Sequence, residues 1–207
     1  MGRTFPAQAS EVWLAADKTF VRRGSVDVIT RYDLKKRWIV RPERNEYLEE
    51  PLSVSTDKGE PDKPARIQEY GFDYRPLYEW TLKETPDTAT LEGLSCRKIM
   101  ARGEAEYASE VREIWVASAP PIDIKAYYER IERPRLDESW NRIYQGNKNL
   151  RKGLVMKSRI TTEPAIAPTM AVEMTVTKIE RAKPPDGTYE VPAGFRKVMT
   201  RDELYAQ

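Results

Sequence analysis

The residue with the clearest chemical potential is the single cysteine, Cys96, which is followed by Arg97 and Lys98. Neighbouring cations lower the pKa of a thiol and make it a better nucleophile. The same position, at the start of a predicted strand, is equally typical of a buried structural thiol. With one cysteine and no histidine, the 207 residues exclude an internal disulfide, a Ser-His-Asp triad, a Cys-His pair and a histidine-ligated metal.

Two charged stretches and a pair of tyrosines are further candidates. A mixed run could place paired carboxylates for acid–base work, or form an exposed cluster of salt bridges: Arg41, Glu43, Arg44, Glu46, Glu49 and Glu50. A basic stretch could contact phosphate headgroups or an acidic partner, or simply face solvent: Arg142, Lys148, Arg151, Lys152, Lys157 and Arg159. Tyr127 and Tyr128 could offer a phenol to a ligand or pack in a helix core.

Composition narrows the class of protein. The chain is 40% hydrophobic and 33% charged, which is typical of a globular protein. A net charge of +2 gives no general attraction to nucleic acid. No apolar run reaches the length of a membrane-spanning helix, so we expect neither a nucleic-acid partner nor a transmembrane segment.

Alternating apolar residues predict an antiparallel sheet, and two segments show a helical period instead. Ile124, Tyr127, Tyr128 and Ile131 have helical spacing. The predicted helices are 124–131, 137–144 and a short one at 201–205. The predicted strands are 11–15, 19–23, 25–32, 37–41, 46–49, 77–83, 89–91, 96–101, 107–117, 154–160 and 170–181.

The order of these elements predicts the fold class. The helices form one insert at 120–146 between strands, so the pattern excludes a Rossmann-type alternation. We expect a mainly β protein: one strongly curved antiparallel sheet, with the helices plugging its concave face. Residues 51–64 are rich in Pro, Ser, Asp, Lys and Gly and predict an exposed loop.

Three segments carry a resemblance to a known family. They are the meander at 11–50, the pair LEGLSCRKI and REIWVAS at 91–99 and 112–118, and VTKIERAKPPDGTYEVPAGFRKV at 176–198. In the last segment, Tyr189 precedes Pro192, Gly194 and Phe195. The chain resembles the LolA/LolB-like lipoprotein-carrier superfamily, and within it a secreted bacterial family of unknown function.

The resemblance implies a single domain over 1–207, an open half-barrel, and a periplasmic or secreted location. A curved sheet with a helical plug encloses an apolar interior, and Ile124, Tyr127 and Ile131 are its expected lid. The expected walls are Val26, Val28, Trp38, Val40, Tyr78, Trp80, Leu82, Ile99, Ile114, Val116, Met156, Met174 and Val176. The same residues would also make an ordinary packed core.

We therefore expect a binding protein that holds a lipid, an acyl chain or a lipidated partner, such as a lipoprotein or envelope protein. No metal or cofactor is expected. One alternative is a cofactor-free enzyme acting on a small hydrophobic or aromatic substrate in the same cavity, as in one branch of the superfamily. Another is an interaction module that uses a sheet edge or the 51–64 loop, which a large exposed apolar patch would favour.

Overall fold

The chain is mainly β, with two open sheets joined to a few short helices. A computed structural model describes residues 7–52, 78–132 and 138–206. The described contacts group into two compact units, one comprising 7–52 with 182–206 and the other 78–132 with 138–181. The single domain over 1–207 stays a prediction.

The first sheet is the predicted meander with one added strand. Its strands follow in the order β1-β2-β3-β4-β5-β11, antiparallel from β1 to β5, with β11 parallel to β5. Gly24, at φ +54°, makes the tight turn between β2 and β3. The strands are β1 Ser10–Leu14, β2 Lys18–Arg23, β3 Val26–Arg31, β4 Lys36–Arg41, β5 Glu46–Pro51 and β11 Arg196–Val198.

Both faces of the first sheet are packed by the end of the chain. On one face, Tyr189, Val191 and Phe195 pack against the cluster formed by Phe20, Ile29 and Val40. On the other, Ile39 and Leu48 are covered by Val198 of β11 and by Leu204 of the predicted helix, α4 Arg201–Tyr205. Thr200 accepts the N–H of Glu203, and the Glu203 carboxylate accepts that of Met199, so the two hydrogen bonds form a capping box at the N-terminus of this helix.

The second sheet is antiparallel throughout, in the order β10-β9-β8-β7-β6. Thr85-Pro86-Asp87 has the composition of a turn, but β6 runs through it with a register shift between Glu84 and Thr88. An edge strand tolerates proline at such a bulge, because the ladder there does not need its missing N–H. The strands are β6 Glu79–Leu91, β7 Leu94–Ala105, β8 Ala108–Ala117, β9 Leu154–Pro164 and β10 Met170–Thr175.

Helices connect β8 to β9, within the predicted insert and just beyond it. Asp123 caps α1 Ile124–Tyr127, which continues as a π-helical turn, Tyr128–Glu132. The predicted second helix is present as α2 Glu138–Gly146. Asn147, which follows the end of α2, caps α3 Lys148–Lys152 by accepting two backbone N–H groups.

Three further predictions need correction or fall partly outside the described residues. The strand expected at 170–181 ends at Thr175, so it is a six-residue edge strand and does not organise the sheet. Strands expected in one curved sheet are divided between two sheets, neither of them closed. In the predicted loop 51–64, Pro51 ends β5, and residues from 53 onward lie outside the described residues.

Glu49 joins several parts of the first unit through its carboxylate. It accepts hydrogen bonds from the Trp38 indole at 2.9 Å, from Lys197 at 3.1 Å and from Lys36 at 3.3 Å. The bond from Trp38, followed by the one from Lys197, lowers the pKa of Glu49 to about 2, against a usual 4.5. Because its folded pKa is depressed, Glu49 stabilises the unit above its ordinary pKa.

Replacing Glu49 by Gln is therefore expected to cost on the order of 1 kcal/mol of unfolding free energy at pH 7. This cost should shrink as the pH falls from about 4.5 towards 2, because the wild-type carboxylate becomes protonated over that range. Urea unfolding of both proteins, followed by tryptophan fluorescence at several pH values, measures the difference. A cost that stays constant down to pH 2.5 would contradict the assignment.

Candidate functional site

Five of the predicted wall residues lie together on one face of the second sheet. Trp80 and Leu82 of β6 and Ile114 and Val116 of β8 belong to one apolar cluster with Ile99. Tyr78 joins them through its ring, whose centroid is 5.4 Å from that of Trp80. The side chains packed on this face are Tyr128, Trp140, Tyr144 and Leu150.

The expected lid residues lie elsewhere. Ile124 and Tyr127 pack instead into a cluster with Cys96, Ala117, Leu154 and Met156, and Val176 packs there too. Ile131 is buried in the π-helical turn. Ile124 and Tyr127 thus pack against two of the expected wall residues, Met156 and Val176, whereas the cover on Ile114 and Val116 comes from α2, α3 and Tyr128.

Val28, Trp38 and Val40 belong to the first sheet, in the other unit. Trp38 and Val40 point to one face of the sheet and Val28 points to the other, because Val28 lies opposite Ile39 while Trp38 lies opposite Ile29. Val26 packs beside Ile39, on the face that carries α4. These residues therefore belong to a different sheet from Trp80, Leu82, Ile114 and Val116.

Two small depressions lie on the surface of the described residues, and charged or polar side chains are prominent in the lining of both. One, of about 180 Å³, lies beside Arg97, Asn149 and Lys152. The other, of about 130 Å³, is lined by Glu113, Trp115, Lys157, Arg159 and Glu173. Both are below the roughly 300–1,000 Å³ of pockets that enclose organic ligands. Where the predicted wall residues meet, they form packed clusters.

The candidate catalytic groups are held in unreactive forms. Cys96 is fully buried, and burial raises the pKa of its thiol, so the structural interpretation of Cys96 is confirmed. Tyr144 stacks on Tyr128 with ring centroids 3.9 Å apart, and burial raises the pKa of Tyr144. The Tyr128 hydroxyl donates to Asn141 and accepts from Gln145.

The mixed-charge run forms ion pairs. Arg41 pairs with Glu43, and Arg44 with Glu46 at 3.1 Å. Glu50 accepts from Arg37, at 2.5 Å, and from Arg201. The run therefore forms salt bridges as one interpretation expected, but the cluster is not wholly exposed, because Glu46 is buried.

Sequence reasoning missed a nearly buried ion pair on the covered face. The Arg112 guanidinium lies 4.7 Å from the Trp80 ring centroid and 4.1 Å from that of Trp140, and it pairs with Glu110. Thr162 donates to the same carboxylate at 3.3 Å. The signal was present, because residues 110 and 112 have the parity of Ile114 in an alternating strand. Their roles are cation–π contact and charge compensation.

Exposed apolar surface concentrates instead on an arm of the second sheet. Met170, Val172 and Met174 of β10 point to one face and are 60%, 63% and 44% exposed. Ile166, which is fully exposed, precedes them. Tyr107 is also exposed, and its backbone carbonyl accepts a hydrogen bond from the N–H of Ala165, the residue before Ile166. We call Tyr107, Ile166, Met170, Val172 and Met174 the apolar arm. The sequence had placed Met174 in the interior.

The chain matches no protein-family model, and neither the curated proteins nor the solved structures gave a significant match. The resemblance to the LolA/LolB-like superfamily therefore stays a prediction. Within the described ranges, no helix has the length and apolar character needed to cross a membrane.

Proposed function

We propose that the chain is a non-enzymatic binding protein that adds an extended strand of a partner polypeptide to the free edge of β10. The observation that carries this proposal is the exposed apolar arm. Five of the eight large apolar side chains exposed in the described part of the chain belong to it. Such a concentration is typical of an interaction surface.

The backbone of β10 favours a polypeptide strand as the partner. Among the described strands, β10 pairs with β9 alone. Alternate residues of an antiparallel edge strand direct their N–H and C=O groups away from the sheet. A polypeptide strand satisfies these groups, whereas an acyl chain offers them nothing.

The side chains of β10 specify the pattern of the partner strand. One face is apolar, through Met170, Val172 and Met174. The opposite face carries Glu173, which pairs with Lys157 at 3.2 Å. The fitting strand therefore alternates apolar residues on the first face with polar residues on the second.

The half-barrel with a helical lid, the acyl-chain ligand and the periplasmic or secreted location stay predictions. An enzyme acting on an aromatic substrate has less support, because burial raises the pKa values of Cys96 and Tyr144. Strand addition is compatible with a lipoprotein or envelope partner, since it requires only an extended apolar segment.

A labelled synthetic peptide with the sequence of residues 168–177 is a suitable probe, since this segment alternates as required. We expect it to bind the full chain, and Val172→Lys to weaken binding at least about tenfold, because a charge on an edge strand opposes pairing. Fluorescence anisotropy measures both. The control is Leu34→Lys, which changes an exposed apolar residue in the other unit and should leave binding unchanged.

A second peptide, N-methylated at alternate residues, tests the backbone contribution. It keeps the apolar side chains but cannot donate along one edge, so strand addition predicts that its binding is lost. Equal binding of the two peptides would contradict strand addition. Failure of the unmodified peptide to bind would overturn the proposed function.

A further inference from the structure

A second surface feature lies in the part of the second sheet away from β10, at strands β6, β7 and β8. It is the depression of about 180 Å³, and four chain segments meet there: the β6 bulge, β7, the residues after β8, and α3. Ile99 and Val116 form its buried floor. Bulges commonly re-aim side chains beside functional sites, and the bulge at Thr85 forms part of this rim.

Two cations on the rim have no carboxylate partner among the described residues. Arg97 and Lys152 are both exposed, and no described Asp or Glu oxygen lies within 4.0 Å of their charged nitrogens. The third cation among the lining residues, Lys98, pairs with Glu113 at 3.0 Å.

The remaining polar groups fit an anion. Glu84 is the one carboxylate among the lining residues, and it is already occupied, accepting from the Asn149 amide at 2.5 Å. Ser118 adds a hydroxyl that can donate to a ligand oxygen. An arginine fork, a lysine point charge and a hydroxyl together match the several oxygens of a phosphate group.

We propose that this depression binds a phosphate monoester, either free or as a lipid headgroup. The volume admits the charged group and leaves the rest of such a molecule outside. The site is independent of the β10 edge, because β9 and β8 lie between β10 and the strands that form it.

Titration with inorganic phosphate, followed by calorimetry, tests the site directly. We expect the double variant Arg97→Gln/Lys152→Gln to bind phosphate at least about tenfold more weakly than the wild type. The matched control is Lys125→Gln/Arg151→Gln, which also removes one lysine and one arginine from exposed positions outside the depression. Wild-type affinity should fall as NaCl is raised.

Flotation with vesicles separates the two sources of phosphate. Phosphatidylcholine vesicles with phosphatidic acid, compared with phosphatidylcholine alone, report headgroup binding, whereas calorimetry reports the free ion. Binding in either assay that is lost in the first variant and kept in the control supports the site. No binding in both assays, or equal loss in the control, overturns it. Neither result depends on the peptide assay for β10.

Discussion

Replacing Trp140 by alanine is expected to lower the free energy of unfolding of the second-sheet unit by about 3–5 kcal/mol. Trp140 is 7% exposed and belongs to the cluster that covers Ile99, Ile114 and Val116. Its ring meets that of Trp80 edge-on, with the centroids 5.5 Å apart. Truncation would therefore leave a cavity over the sheet and remove an aromatic contact.

The same substitution also changes the surroundings of the charged Arg112 side chain. Arg112 lies 4.1 Å from the Trp140 ring centroid, and its partner Glu110 is also nearly buried. Loss of the ring removes one of the two aromatic faces that hold the guanidinium. Loss of this contact adds to the free-energy cost of the cavity, because the groups around a nearly buried ion pair stabilise it.

Urea unfolding measures this loss of unfolding free energy. Hydrogen exchange at the amides of β7 and β8 shows whether the loss is in the second sheet. Trp140→Phe is the control, because it keeps an aromatic ring over Ile114 and should cost about 1–2 kcal/mol. A loss below 1 kcal/mol for the alanine variant would show that α2 contributes little to this core.

Replacing Leu204 by alanine is expected to cost the first-sheet unit about 2–5 kcal/mol. Although it lies three residues from the end of the chain, Leu204 is 0% exposed. It packs with Val198 against Ile39 and Leu48, on the face of the sheet that α4 covers. Terminal residues usually tolerate change, but this one is tied down by burial and by a capped helix.

Equilibrium unfolding followed by circular dichroism measures this loss. Met199→Ala is the matched control, because Met199 is 75% exposed and its truncation should change stability by less than about 0.5 kcal/mol. Similar effects of the two substitutions would contradict the assigned core.

Much of the local structure followed from the sequence. Alternation predicted the meander of β1 to β5, and helical spacing with Asp123 predicted α1. Thr200 and Glu203 accompany the helix that was predicted at the C-terminus. These features depend on residues close in the chain, so periodicity and capping chemistry are enough to locate them.

The local sequence pattern was misleading at a segment that has the composition of a turn but lies within a long strand paired to its neighbour. Thr85-Pro86-Asp87 is a turn by composition, but β6 continues through it as a bulge. The ten register pairs between β6 and β7 outweigh a local preference that affects three residues.

By itself, the sequence determined a mainly β protein, the position of its helices and which residues alternate. Only the tertiary structure decided which faces are covered: Val28 and Trp38 lie on opposite faces, and Met174 is exposed while Met156 is buried. An alternating strand shows which side chains share a face, but not what covers it. That depends on packing between distant residues, as with Trp140 on Ile114 and Leu204 on Ile39.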